Sequence, residues 1–218
     1  MAVFAQGQPS NGHPKTIYYA PDGNKVTNEK IDSVVKFIGG RFNMDKKTYG
    51  NDSVVIRLVK MSNADIKAAN EADEKRASEA KARLNMPAAN FSLKDLQGNT
   101  YTLSNLKGKV VILNFWFTTC PPCIAEIPQL NTIVKKYDPA KVVFLSITFN
   151  EAPQVKDFLK HNKFDYHHLV DGKKVCDDYH VFGYPTHMVI DKKGILRFSQ
   201  LGGENIKETL SQTIEKFL

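Results

Sequence analysis

Residues 110–123 read VVILNFWFTTCPPC, and this stretch decides the fold. Its first eight residues form an apolar run of the kind found in a central strand that is covered on both faces. After Pro122, apolar residues return at helical spacing as far as Val134. The sequence therefore predicts a core strand that leads directly into a helix, with Cys120 and Cys123 at the junction.

The spacing of the two cysteines determines their chemistry. A cysteine at a helix N-terminus meets backbone N–H groups that have no partner within the helix, together with the positive end of the helix dipole, and both favour thiolate over thiol. Cys120 is therefore the predicted nucleophile. A spacing of three residues brings Cys123 within bonding distance of Cys120, and Pro122 lies in the first turn, where its missing N–H removes no helical hydrogen bond.

A C-x-x-C pair can also be half of a zinc site. Such a site needs a second pair of ligands at a suitable spacing, and the histidines of this chain form no such motif. The pair is therefore interpreted as redox-active, and neither a metal nor another cofactor is predicted.

The sequence around this stretch alternates between strands and helices. Upstream, residues 91–103 alternate apolar and polar positions about a Gln97-Gly98-Asn99 turn, which predicts a β-hairpin at the start of the domain. Downstream, periodicity predicts strands at 142–149, 166–170, 187–190 and 195–201, and helices at 154–161, 174–181 and 206–218. This order predicts an α/β sheet with helices on both faces.

Four motifs in residues 87–218 point to a known family: FSLKDL at 91–96, LKGKVV at 106–111, CPPC at 120–123 and GYPT at 183–186. With them the segment resembles the thioredoxin-like TlpA/ResA family of extracytoplasmic thiol-disulfide oxidoreductases. The resemblance implies a thioredoxin-like fold, with a mixed central sheet, an N-terminal hairpin and a helix–strand insertion. It also implies an enzyme that reduces protein disulfides through the two cysteines, with protein disulfides and a membrane thiol-transfer electron donor as its partners.

The resemblance assigns the substrate-binding residues as well. Pro185 is implied to follow a cis peptide bond and to lie against the disulfide, while the backbone of Tyr184 pairs with the substrate chain. A tight turn before a strand is a place where a cis X-Pro bond is tolerated, although a trans-proline turn is the alternative. Pro121 and Pro122 are expected to contribute to the same surface.

Glu126 is predicted to exchange a proton with the second cysteine. Thioredoxin proper has a buried aspartate two residues before the tryptophan, where this chain has Asn114, which cannot accept a proton and is predicted to be structural support. Glu126 follows Cys123 by three residues on the same helix face, and members of the family carry a glutamate there. A buried carboxylate has a raised pKa, which suits it to proton exchange. The alternative is an exposed glutamate that is favoured by the helix dipole.

Five further residues are assigned from the sequence: two that support the site, one that departs from the family pattern and two that are interpreted as structural. Trp116 is expected to pack beneath the cysteines, and Pro128 to kink the helix because it removes one helical hydrogen bond. Thr119 replaces the tryptophan that commonly precedes the first cysteine, which leaves substrate preference and redox potential open. Cys176 is interpreted as a small buried residue rather than a third redox partner, and His187 as structural.

The first 86 residues match no recognised family. We expect a disordered leader or signal-peptide remnant at 1–15, a small α+β module at 16–62 and a polar helical connector at 63–86. Within the module, apolar runs predict strands near Ile17 and at 54–59, and helical spacing predicts a helix at Ile31–Ile38. Lys46-Lys47 is interpreted as a solvated turn.

Composition limits the class of protein. The chain has 218 residues and is 42% hydrophobic, enough to bury a core. Its net charge of +7 comes from scattered lysines and arginines, without the basic run that tracks a phosphate backbone, so nucleic acid is not an expected partner. No stretch approaches the roughly 18 to 20 apolar residues of a membrane span, so membrane attachment is expected only through a missing N-terminal segment.

Three alternative functions stay open at the level of sequence. A peroxiredoxin-like peroxidase is the nearest, but a peroxidatic cysteine lies in a P-x-x-x-T-x-x-C context, whereas Thr119 and Cys120 are adjacent here. A disulfide isomerase or oxidase differs from a reductase only in its reduction potential relative to the compartment. In a partner-binding protein, the N-terminal module would be the functional part.

Overall fold

The computed structural model describes residues 15–26, 42–49, 53–203 and 205–218. The chain divides into two compact units, Met1–Glu74 and Lys75–Leu218. The predicted helix at Ile31–Ile38 and residues 1–14 of the predicted leader lie outside the described residues.

The described strands of the first unit form a four-stranded sheet. They are β1 (Lys15–Tyr19), β2 (Lys25–Val26), β3 (Phe42–Tyr49) and β4 (Ser53–Lys60), in the order β2-β1-β4-β3. The strands predicted near Ile17 and at 54–59 are therefore confirmed. The turn predicted at Lys46-Lys47 is wrong, because both residues lie inside β3 and pair with β4. β3 is an edge strand of the described sheet, where lysines are favoured because they discourage pairing with another chain.

Helix α1 (Asn63–Ala82) follows β4 and has no buried residue. Ser62 caps its start: the hydroxyl accepts a hydrogen bond from the Asp65 N–H at 3.1 Å and donates to the Asp65 carboxylate at 2.7 Å. The helix is polar because its residues other than the small alanines are mostly charged or amide side chains. Among the described residues, no helix has the length and apolar character that crossing a membrane requires.

The second unit is built on a mixed sheet in the order β11-β10-β7-β8-β9. Strands β7, β8 and β9 are parallel, β10 runs antiparallel to β7, and β11 runs antiparallel to β10. The hairpin of β5 and β6 precedes this sheet, as predicted. The strands are β5 (Ser92–Lys94), β6 (Thr100–Thr102), β7 (Val110–Trp116), β8 (Val142–Thr148), β9 (His167–Leu169), β10 (Thr186–Ile190) and β11 (Leu196–Leu201).

Four helices accompany this sheet among the described residues: α2 (Pro121–Val134), α3 (Ala152–Leu159), α4 (Lys173–Asp178) and α5 (Ile206–Phe217). Helix α3 begins two residues earlier than predicted because Glu151 and Gln154 form a reciprocal capping box. Helix α4 ends three residues earlier than predicted, and His180 just beyond it has a positive φ of 52°, which a helix interior does not allow.

Strand β7 lies at the centre of the core and is buried along its whole length. Because side chains alternate across a strand, Ile112 and Trp116 join the hydrophobic cluster that contains both cysteines, whereas Leu113 and Phe115 join a second cluster. Burying one such large side chain stabilises the fold by about 1.5–3 kcal/mol. The predicted mixed sheet with helices on both faces is confirmed, and Phe117 in the loop after β7 packs against the cluster that contains the cysteines.

Candidate active site

Cys120 and Cys123 form a disulfide at the start of α2, with Cα atoms 5.3 Å apart. Cys120 is the N-cap residue, and its Sγ accepts a hydrogen bond from the Cys123 N–H at 3.3 Å. Pro121 and Pro122 occupy the first two helical positions, where no N–H is needed. In this oxidised state Cys120 exposes 1% of its surface and Cys123 exposes 3%. The Cys123 amide, the first N–H of α2, is therefore directed at the sulfur that the sequence predicts to be nucleophilic.

The Tyr184–Pro185 bond is cis, which confirms the prediction for this turn. The Pro185 carbonyl accepts a hydrogen bond from the Gly202 N–H at 2.9 Å, which ties the turn to the end of β11. A Cβ at Gly202 would lie 3.2 Å from Pro185 Cγ and 2.9 Å from Glu126 Oε1. The backbone at Gly202 thus contacts both the proline ring and the glutamate, and a glycine is needed for that close approach.

Glu126 is buried beneath the start of α2 and is bonded through both carboxylate oxygens. Oε1 accepts a hydrogen bond from the Gly203 N–H at 2.9 Å, and Oε2 lies 2.8 Å from Nε2 of His187. His187 Nδ1 in turn lies 3.2 Å from Nδ2 of Asn114. Glu126 is therefore not the exposed first-turn glutamate that was the alternative in the sequence.

Sequence reasoning missed the contact between His187 and Glu126. His187 in β10 and Asn114 in β7 are direct cross-strand partners, and both are polar residues in largely apolar strands. That signal was present in the sequence, but the register of β10 against β7 was needed to use it. The backbone N–H of Gly203 left no signal, because any residue supplies one.

Aromatic side chains surround this network. Trp116 is fully buried and packs against Phe158 and Phe164, with ring centroids 5.0 and 5.4 Å away. Burial raises the pKa of Tyr166, and the charge of Glu126 raises it further. Pro128 lies inside α2, and the kink expected there stays a prediction.

A second aromatic group, which the sequence did not single out, lies around Tyr184. The rings of Phe117, Phe149 and Tyr184 contact one another, with centroids 5.4 to 5.7 Å apart. Phe149 is 39% exposed. The carbonyl of Phe117 accepts a hydrogen bond from the Cys120 N–H at 3.1 Å, so this aromatic cluster adjoins the disulfide.

Cys176 is a free, buried cysteine on α4. Burial raises the pKa of its thiol, although a hydrogen bond with the Tyr184 side chain acts in the opposite direction. The thiol is therefore protonated at neutral pH, as expected of a small buried residue. No group of three or more His, Cys, Asp or Glu side chains within the described parts of the chain could hold a metal ion.

A disulfide at the N-terminus of a helix, on a mixed sheet with a cis-proline turn, defines a thiol-disulfide oxidoreductase with a thioredoxin-like fold. Residues 84–199 match the AhpC/TSA family, and the chain belongs to this family.

Similar proteins agree with this class. The thioredoxin-like protein YneN of Bacillus subtilis is 38% identical over 124 residues, which cover 56% of this chain and 73% of YneN. The thiol-disulfide oxidoreductase ResA of Bacillus cereus is 35% identical over 142 residues, which cover 64% of this chain and 82% of ResA. The crystal structure of the pneumococcal exposed lipoprotein thioredoxin Etrx1 from Streptococcus pneumoniae is 32% identical with a TM-score of 0.53, covering 59% of this chain and 99% of that one.

Proposed function

We propose that this enzyme reduces disulfides of extracytoplasmic proteins through the Cys120–Cys123 couple, with Glu126 as the base for Cys123. The observation that carries the proposal is the joint placement of the disulfide at the N-terminus of α2 and of Glu126 three residues further along the same helix. The helix end favours a thiolate at Cys120, and the buried carboxylate supplies a proton acceptor on the side of Cys123.

The reaction starts from the reduced enzyme. The Cys120 thiolate attacks one sulfur of the substrate disulfide, so that a mixed disulfide forms and the other substrate sulfur leaves as a thiolate. Cys123 then gives its proton to Glu126, and the Cys123 thiolate attacks Cys120 Sγ. That step forms the Cys120–Cys123 disulfide and releases the second substrate thiolate. Two electrons pass to the substrate, whose thiolates take up one proton from Glu126 and one from solvent.

We assign substrate binding to Pro121, Pro122, Tyr184 and Pro185, as the resemblance implies. The aromatic cluster of Phe117, Phe149 and Tyr184 extends this surface, because Phe149 is exposed and the Phe117 carbonyl is hydrogen-bonded to the Cys120 N–H. Apolar side chains that flank the substrate cysteine are expected to contact these rings.

The proposed partners and location follow from the family. A reductase that leaves each cycle oxidised needs an electron donor, and a membrane thiol-transfer protein fills that role in the resembled family. Etrx1, described as an exposed lipoprotein, supports an extracytoplasmic location. We also propose that residues 87–218 form the catalytic domain, with 16–62 as an accessory module and 63–86 as its connector.

Cysteine variants test the proposal. Cys120→Ser should abolish the reduction of insulin disulfides, whereas Cys123→Ser should accumulate mixed disulfides with substrate because the resolving thiolate is absent. Adding Phe149→Ala to Cys123→Ser should lower the yield of trapped protein. Cys176→Ala is the matched control and should retain activity, since that thiol is buried and protonated. Insulin reduction by Cys120→Ser at the wild-type rate contradicts the proposal.

The direction of electron flow needs a separate measurement. Equilibration with mixtures of reduced and oxidised glutathione gives the reduction potential of the Cys120–Cys123 couple. A potential well below that of the glutathione pool supports a reductase, and one above it supports an oxidase or isomerase instead. Consumption of hydrogen peroxide at a rate that exceeds disulfide exchange would favour the peroxidase alternative.

A further inference from the structure

We propose that His187 is a positioning residue, which holds Glu126 as an ionised base for Cys123, and that Asn114 sets the tautomer in which His187 does so. The inference deepens the proposed function and rests on the role of Glu126 given there. It concerns three side chains that come from β7, α2 and β10 and meet in the core.

The hydrogen-bond chemistry of these three groups determines where the protons lie. An amide nitrogen can only donate, so Asn114 Nδ2 donates to His187 Nδ1. The lone pair that accepts this bond cannot also carry a proton, so the proton of the neutral imidazole is on Nε2. Nε2–H therefore donates to Oε2 of Glu126, and this bond is stronger when the carboxylate is ionised. Both hydrogen bonds therefore donate in the same direction, from Asn114 to His187 and from His187 to the Glu126 carboxylate.

Burial makes this arrangement specific. His187 exposes none of its surface and Asn114 exposes 2%, so solvent does not replace either hydrogen bond. The second carboxylate oxygen, Oε1, is held by the Gly203 N–H. With a donor on each oxygen, the carboxylate has a defined orientation, while each oxygen keeps a lone pair that can take the Cys123 proton. A buried carboxylate without these donors would favour its neutral form.

The other titratable groups that face Glu126 are few. Tyr166, in the segment between α3 and β9, is close enough for the Glu126 charge to affect it, and the Cys120–Cys123 pair lies on the same helix as Glu126. Tyr166 stays a neutral phenol because burial raises its pKa. Among the described neighbours, His187 is therefore the titratable side chain whose proton can stabilise the ionised form of Glu126.

Two substitutions distinguish the hydrogen bonding of His187 to Glu126 from the packing of its side chain in the core. In His187→Gln the amide can still donate to Glu126 and accept from Asn114, but it cannot ionise. In His187→Leu both hydrogen bonds are lost at similar volume. We expect His187→Leu to slow insulin reduction about tenfold and to move the acidic break of its pH profile to higher pH, because the anion loses a donor. His187→Gln should restore the wild-type profile and most of the rate.

His168 provides a matched control. It is also a buried histidine on the same sheet, but its nitrogens bond to Ser146 Oγ at 2.7 Å and to the Phe164 carbonyl at 3.0 Å, not to Glu126. His168→Gln is expected to leave the pH profile of insulin reduction unchanged. A shift in the control equal to that in His187→Leu would show a general effect of removing a buried imidazole and would overturn the inference.

The tautomer can be observed directly by NMR of the full chain labelled with ¹⁵N-histidine, with His187→Gln used to assign the signal. We expect the Nε2–H tautomer of His187, and an Nδ1–H or doubly protonated ring would overturn the inference even if His187→Leu fails to fold. The Glu126→Gln variant distinguishes a failure of the positioning role of His187 from a failure of the proposed function. If it loses the pH break while His187→Leu keeps it, the positioning role fails and the proposed function stands. If Glu126→Gln keeps the break, the base assignment fails as well.

Discussion

At the scale of single residues, the main feature of the site is the buried carboxylate of Glu126, which is hydrogen-bonded to protein groups instead of water. Glu126 exchanges hydration for a backbone N–H on one oxygen and an imidazole on the other. Burying a charge without such partners costs several kcal/mol or forces the group to neutralise. In the proposed mechanism, the two donors keep Glu126 available as a proton acceptor for Cys123.

Gly202 is the residue whose substitution should show how closely this carboxylate is held. In Gly202→Ala the new Cβ would lie 2.9 Å from Glu126 Oε1 and 3.2 Å from Pro185 Cγ, so one of them must shift. We expect a loss of about 1–3 kcal/mol in the free energy of unfolding, measured by urea denaturation. Insulin reduction should fall as well, because the shift weakens the Gly203–Glu126 bond.

Gly183→Ala is the control on the neighbouring turn. Its Cβ would approach the Cδ1 of Leu201 at 2.6 Å, but Leu201 is half exposed and can rotate away. The substitution should therefore cost less stability than Gly202→Ala. Equal losses for the two variants would contradict the view that Glu126 and Pro185 are held in place.

At the scale of elements, the strands carry a buried polar row beneath α2. Successive cross-strand partners from β10 to β9 are His187, Asn114, Ser146 and His168. The Glu126 network occupies one end of this row, and the Ser146–His168 bond joins β8 to β9 at the other. Polar residues are tolerated in this core because these side chains bond to one another or to the backbone.

His168 should make the stability of the protein depend on pH. Burial lowers its pKa from 6.5 to about 4, so between these values the unfolded chain binds a proton that the folded chain does not. The free energy of unfolding should therefore fall as the pH falls from 6.5 to 4, by up to about 3 kcal/mol. In His168→Gln this part of the pH dependence should disappear from urea denaturation curves. An unchanged slope in the variant would contradict the assignment.

At the scale of the whole molecule, the described contacts of the active site come from one unit. The disulfide, Glu126, His187 and the cis-proline all lie within Lys75–Leu218. Residues just before the predicted boundary at Pro87 already bond to this unit. Arg83 donates to the Asp178 carbonyl at 2.9 Å, and the Asn85 N–H donates to the Leu196 carbonyl at 2.7 Å.

A chain that begins at Lys75 should therefore reduce insulin at the rate of the full chain. A chain that begins at Pro87 loses the Arg83 and Asn85 hydrogen bonds and should be less stable to urea, since each such bond contributes about 1 kcal/mol. Loss of insulin reduction in the longer truncate would show that the first 74 residues contribute to catalysis.

The sequence alone determined the features that are local along the chain. A buried strand, a C-P-P-C at a helix start and a proline turn each occupy a few consecutive residues, so their periodicity and spacing are visible without a structure. The resemblance added the cis bond and the choice of Glu126. Element ends shifted by two or three residues where capping or a positive φ intervened.

Only the tertiary structure determined which distant residues meet. His187 lies 61 positions from Glu126 and 73 from Asn114, and their contact depends on the register of β10 against β7 and on how α2 packs over it. The turn predicted at Lys46-Lys47 is wrong for the same reason: both residues are polar, and only the pairing of β3 with β4 shows that they lie on an edge strand of the described sheet. The local sequence pattern placed the two cysteines at the helix start, whereas strand pairing between distant segments brought His187 and Asn114 to Glu126.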